Sequence, residues 1–110
     1  MVLAGDGMAE GVQCATRIDL EHVTATWEIL TPHHYAVAGE TAACQLLDSH
    51  PVLVDLLAPD FNSPETVQTM LEAVAQSVAG VSGVALRNVF VNYREAHAGQ
   101  VFDAGEIVRW

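Results

Sequence analysis

The sequence predicts an α/β domain of the α+β kind, assembled from two unequal copies of one β-α-β unit, with a mixed sheet and helices on one face. Three observations carry this expectation. Two strand-like runs, Pro51 to Leu57 (PVLVDLL) and Asn88 to Glu95 (NVFVNYRE), flank a helix-like run from Pro64 to Ala79. A shift of 66 residues lays the second of these strands and its turn over an earlier stretch without a gap. A chain of 110 residues that is 51% hydrophobic and 16% charged is enough for one core and one domain.

Taken in order, Met8 to Arg17 reads as the tail of a first helix, weakened by Gly11. His22 to Leu30 (HVTATWEIL) alternates, with Val23, Ala25, Trp27 and Ile29 on one side and Thr24, Thr26 and Glu28 on the other, as a strand with one buried face does. Pro51 to Leu57 is almost continuously apolar, broken by Asp55, and reads as a central strand covered on both faces. Ser63-Pro64-Glu65 is a helix start: a hydroxyl cap, a proline whose missing N–H costs nothing there, and an acid facing the helix dipole. Val67, Met70, Leu71, Val74 and Val78 then recur at helical spacing, and Gly80 and Gly83 mark the exit. In the last strand Val89, Val91 and Tyr93 oppose Phe90, Asn92 and Arg94, and a turn near Ala98-Gly99 follows. Residues 51 to 95 thus form β-α-β, for which a parallel pair is the simplest topology.

Under the shift, Leu20 falls on Leu86, Val23 on Val89, Trp27 on Tyr93, and Ala38-Gly39-Glu40 on Ala104-Gly105-Glu106. Upstream, Ala9 falls on Ala75 and Val12 on Val78. Pro51 would map to 51 − 66 = −15, so residues 1–46 are expected to form an incomplete first unit without its opening strand, and 47–110 a complete second one.

Fourteen Asp and Glu against four Lys and Arg give a net charge of −10, which repels polyphosphate and anionic membrane surfaces. No nucleic-acid or membrane partner is expected, and no apolar stretch reaches the roughly 20 residues of a membrane span. The first residues show neither a basic region nor an apolar one of the secretory kind, so the expected address is the cytoplasm. Cys14 and Cys44 lack metal or redox spacing and read as two reduced, buried thiols. His33 and His34 would point to opposite faces of an extended chain, and no HxH or HExxH spacing occurs, so no metal is assigned. Neither a phosphate-cradling glycine motif nor a nucleophile elbow is present, and no cofactor is expected.

A duplicated β-α-β unit whose second strand runs into a glycine-containing turn resembles the tautomerase superfamily. His22 to Gly39 (HVTATWEILTPHHYAVAG) is similar to the second strand and hairpin of 4-oxalocrotonate tautomerase, and Asn88 to Tyr93 (NVFVNY) to a strand of macrophage migration inhibitory factor. The two-unit arrangement resembles the cis-3-chloroacrylic acid dehalogenase branch. The resemblance implies a homotrimer with sites where subunits meet, and isomerase chemistry resting on an N-terminal proline whose amine moves protons next to a carbonyl. Here residue 2 is Val, and Pro51, its counterpart in the second unit, is acylated by His50 and has no basic nitrogen. Thr24 and Phe90 stand where the family often places an arginine, and Asn62 holds the loop position before Ser63. Either the native start lies upstream or the chemistry has been lost, and the catalytic residue is left unassigned.

For holding a small carboxylate, Arg94 is the leading candidate, being one of four cations and lying on the strand face of Phe90 and Asn92. The competing reading is an ion pair with a neighbouring acid. Asn92 and Tyr35 occupy positions similar to polar and aromatic site residues of the family and would orient a carbonyl or enol oxygen, and His34, which precedes Tyr35 in the hairpin, is a further substrate-binding candidate. A trimer-interface role fits Tyr35 equally well. The expected function is binding or isomerising a small 2-oxo or unsaturated carboxylic acid. A non-catalytic oligomeric or small-molecule-binding module, including a ferredoxin-like sensor, is the alternative.

Overall fold

The computed structural model describes residues 24–110; the expected first helix at Met8 to Arg17, the start of the first strand, Cys14 and Arg17 lie outside them. In chain order the elements are strands β1 (Ala36–Val37), β2 (Glu40–Thr41) and β3 (Val52–Pro59), helix α1 (Pro64–Ser82), a 3-10 turn (Leu86–Asn88), and strands β4 (Val89–Ala96), β5 (Val101–Asp103) and β6 (Glu106–Val108). They form one parallel pair, β3–β4, and two antiparallel hairpins, β1–β2 and β5–β6. The class is the mixed α+β one expected.

β3 and β4 run parallel in register from Val52↔Val89 to Pro59↔Ala96. Their alternation turns Val52, Val54, Leu56, Val89 and Val91 to α1, whose stripe of Met70, Ala73, Val74 and Val78 is buried against them. Val78 is fully enclosed. The helix begins where the sequence indicates: Ser63 Oγ accepts from the Thr66 N–H at 3.2 Å, with Pro64 and Glu65 in the first turn. It runs through Gly80 and ends at Gly83, left-handed at φ 79°, whose N–H donates to the Ala79 carbonyl at 2.9 Å. A helical glycine costs only about 1 kcal/mol against alanine, too little to stop a helix anchored by Val78 two residues before.

Three expectations are corrected. Residues 24–30 belong to no strand, although Ala25 and Trp27 still pack on the Val74–Val78 cluster. Alternation therefore predicts the side of Ala25 and Trp27 but not of Ile29, which is 73% exposed, while ladder formation depends on a backbone partner, and here the segment is separated from β3 by a cleft. β3 is covered on one face: Leu53 and Leu57 are 62% and 55% exposed, because α1 lies over the opposite side. Cys44, in the connection after β2, is exposed rather than buried.

The two hairpins turn alike. Ala38-Gly39 and Ala104-Gly105 both have positive φ at the two central positions (51° and 82°; 51° and 85°), the geometry that matches strand twist in two-residue hairpins. The turns lie 66 residues apart, at the spacing of the sequence repeat. No described helix is long and apolar enough to cross a membrane.

Two outcomes follow for stability. Val78→Ala, which removes two methyl groups from an enclosed site, is expected to cost about 2 to 3 kcal/mol, read as a lower urea midpoint at unchanged slope. Ala104→Asn replaces a residue that resists the left-handed region by one that tolerates it. It is expected to add about 0.5 to 1 kcal/mol, and a fall in midpoint would show that the alanine methyl has a packing role.

Candidate functional site

The face of β3–β4 turned away from α1 carries Leu53, Asp55 and Leu57 on one strand and Phe90, Asn92 and Arg94 on the other. Parallel register sets Asp55 level with Asn92, and Leu57 with Arg94. Asp55 draws both polar neighbours to itself. Arg94 Nε donates to Asp55 Oδ2 at 2.7 Å and Oδ1 at 3.0 Å, Nη2 reaches Oδ2 as well, and Asn92 Nδ2 lies 3.4 Å from Oδ1. The Arg94 hydrogen bond is the main reason the Asp55 carboxyl sits below its ordinary range, with Asn92 and the Arg94 charge adding to it against some desolvation. The same bond raises Arg94. Arg94 thus holds a carboxylate, and that carboxylate is the chain's own.

Beside this face, a cleft of about 1100 Å³ opens between residues 24–31 and β3, bordered by Trp27, Tyr35, His50, Leu53, Asp55 and Arg94. Its size reaches the upper range of small-molecule sites. The Tyr35 hydroxyl donates to the Pro51 carbonyl at 2.8 Å, and its ring tilts 53° against His50 with centroids 5.4 Å apart. His34 is exposed and borders a neighbouring recess of about 450 Å³ that shares Tyr35 and Leu53. Arg94 and Tyr35 therefore meet one cleft, Asn92 approaches through Asp55, and His34 stands one recess away.

Several polar residues that organise this region carry no local sequence signal. His50 and Asn88 are buried, at 7% and 3% exposure. His50 Nε2 donates to the Glu40 carbonyl at 2.8 Å, while its own carbonyl accepts from Gln45 Nε2 at 2.6 Å and Asn88 Nδ2 at 3.1 Å. Asn88, expected as the first residue of the strand, instead closes the 3-10 turn and also donates to the Leu46 carbonyl at 3.1 Å. This clamp fixes the approach to β3, and with it Tyr35. Arg87 lies 3.6 Å from Asp48 in an exposed pair. Among the described residues no three His, Cys, Asp or Glu side chains gather as metal ligands; His33 bonds Thr41, His50 bonds Glu40, and His97 bonds Asp60.

The depressed Asp55 value sets a pH dependence. A carboxyl lower in the folded than in the unfolded chain stabilises the fold above the unfolded value, about 4, and that contribution fades as pH falls through the folded value. Asp55→Asn is therefore expected to lower the denaturation midpoint slightly at pH 6, with the two proteins converging in stronger acid. A constant gap across pH would assign the loss to packing instead.

No family model and no curated protein matches the chain. Solved structures do. An R7 fused 4-OT, a wild-type asymmetric trimer, superposes with a TM-score of 0.81 at 13% identity over 94% of this chain and 80% of its own. N1, a member of the cis-3-chloroacrylic acid dehalogenase family, gives 0.76 at 15% identity over 96% and 70%. Pt0534 inactivated by 2-oxo-3-pentynoate gives 0.76 at 17% identity over 96% and 80%. At such identities the likeness is one of architecture, and the chain has the tautomerase-like fold of the fused 4-OT proteins.

Proposed function

We propose that this chain is a tautomerase-like protein that binds a small 2-oxo or unsaturated carboxylic acid and promotes keto-enol isomerisation or related hydration. The observation that carries this reading is the placement of Arg94, a guanidinium already engaged with a carboxylate, on the rim of a cleft that also presents Tyr35. A ligand carboxylate would take the place of Asp55 on Arg94, with Asn92 following the exchange, Tyr35 bordering the same cleft and His34 in the adjoining recess. The fold likeness supports the substrate class, since one structure of that fold was inactivated by a 2-oxo acid. We further propose two tandem units with boundaries near 46 and 47, a homotrimer, and a cytoplasmic address. Leu53, Leu57 and Phe90, each more than half exposed on the open sheet face, supply apolar area for assembly.

A second reading is favoured by two contacts. Arg94 is satisfied by Asp55, and the Tyr35 hydroxyl by Pro51, as in a module whose sheet face exists for assembly alone. Titration with phenylpyruvate, followed by NMR shifts of the Arg94 side chain, separates the two. Arg94→Ala is expected to weaken binding only a few-fold, because the ligand merely exchanges for Asp55 on the guanidinium, and Asp55→Asn to strengthen it about 10- to 100-fold, the worth of a charge-assisted hydrogen bond no longer spent on the internal competitor. Binding indifferent to both changes would leave the assembly module as the better account.

A further inference from the structure

A second constellation lies at the carboxyl ends of the parallel pair. β3 ends at Pro59 and β4 at Ala96, and the first residue beyond each carries a titratable group, Asp60 and His97. The Asp60 N–H donates to the Ala96 carbonyl at 3.0 Å, which staples the strand ends so that both side chains leave the sheet together. His97 Nδ1 lies 2.9 Å from Asp60 Oδ2. An ionised carboxylate only accepts, so Nδ1 bears the hydrogen and the neutral ring offers its lone pair at Nε2. The other carboxylate oxygen, Oδ1, accepts from the Trp110 indole N–H at 2.8 Å. Held from both sides, Asp60 stays below the ordinary carboxylate range, first through Trp110 and then through His97. Trp110 in turn meets Phe61 edge to face, with centroids 6.0 Å apart. The His97 side chain is half exposed, so its ring is open to a small molecule.

We propose that His97 Nε2 is a general base and acid for proton transfer next to a carbonyl, with Asp60 as its positioning residue. Phe61 and Trp110 form the aromatic surface that receives the flat substituent of the substrate. For substrate class the inference rests on the reading above: an enolisable 2-oxo acid with an aromatic or unsaturated substituent. In the keto-to-enol direction Nε2 takes one hydrogen from the carbon beside the carbonyl as a proton. The C–H electron pair becomes the C=C bond, and the carbonyl oxygen takes up the negative charge. Asp60 faces the imidazolium that forms. Nε2 then gives the same proton to that oxygen, the enol leaves, and the ring returns to its starting tautomer. Ketonisation is the reverse, and neither direction needs an oxidant, metal or co-reactant.

The test is phenylpyruvate enol ketonisation by the full chain in a buffer of low general-acid strength, with 15N NMR of the histidine rings alongside. The wild type is expected to exceed the buffer rate, and His97→Gln to lower its rate about 100-fold or more at unchanged fold. Asp60→Asn is expected to give a smaller loss together with a mixture of ring tautomers at His97, and Asp60→Glu to recover part of both. Equal rates for wild type and His97→Gln would overturn the dyad and leave the carboxylate-binding reading intact. A wild type that binds phenylpyruvate without ketonising it would do the same. A wild type that neither binds nor ketonises overturns both. Should His97→Gln not fold, the wild-type spectrum decides: hydrogen at Nδ1 with an Nε2 signal that moves on adding the substrate supports the dyad, and hydrogen at Nε2 overturns it.

Discussion

Two parallel neighbours cannot be joined by a tight turn, because the chain leaves the first strand at the end opposite to where the second begins. In this protein the connection after β3 is α1, and the helix has to lie across one face of the pair to bury its stripe of Met70, Ala73, Val74 and Val78. That single constraint leaves three distinct places outside the core. One sheet face is consumed by the core, the other is left open, and the two ends of the pair collect whatever residues flank β3 and β4. The Asp55–Arg94 pair belongs to the open face, the His50–Asn88 clamp to the starting end, and the Asp60–His97 pair to the finishing end.

The starting end is the best secured. Asn88 spends both amide hydrogens on carbonyls of a loop that would otherwise have to satisfy its backbone in solvent, while His50 ties the same loop to the first hairpin. Leaving such a buried donor unpaired costs roughly 1 to 3 kcal/mol, so a fully paired cluster defines one loop conformation against many. No buried side-chain nitrogen or oxygen among the described residues lacks a partner. The finishing end relies on the exposed Asp60–His97 pair instead.

Those three places were not equally legible in the sequence. The strands flanking α1, its cap at Ser63 and its apolar stripe follow from local periodicity, because each is decided by residues within a few positions of one another. The two Ala-Gly pairs stand out in the sequence only as a match at 66-residue spacing; that both are left-handed turns is a finding of the structure, since alanine alone is a poor signal for such a turn. Contacts between elements left no such trace. Asn88 meets the His50 carbonyl across 38 positions, His97 meets Asp60 across 37, and Trp110 meets Asp60 across 50. Nothing in the periodicity of any segment encodes these meetings; the first two arise from parallel register once the crossover is in place, and the third from the return of the chain after β6. Arg94 and Asn92 could be placed on one face from alternation, whereas the capture of Arg94 required knowing that Asp55 stands level with Asn92 on the neighbouring strand.

That capture has a consequence for selectivity. With fourteen acids and four basic side chains, a guanidinium on an open face finds an acid of its own, and an incoming carboxylate can only exchange for it. Exchanging one carboxylate for another on the same guanidinium is nearly neutral in energy, since one charge-assisted bond replaces another and the displaced Asp55 returns to water. In the proposed function the charge would therefore select and orient a ligand without holding it. Net affinity must come from the rest of the molecule, through apolar surface removed from water against Trp27 and Leu53, which border the same cleft. A bare acid such as acetate gains nothing from the exchange. An acid with a flat unsaturated body would gain the burial as well, and in the proposed function the cleft would for this reason discriminate by the body of the ligand more than by its charge.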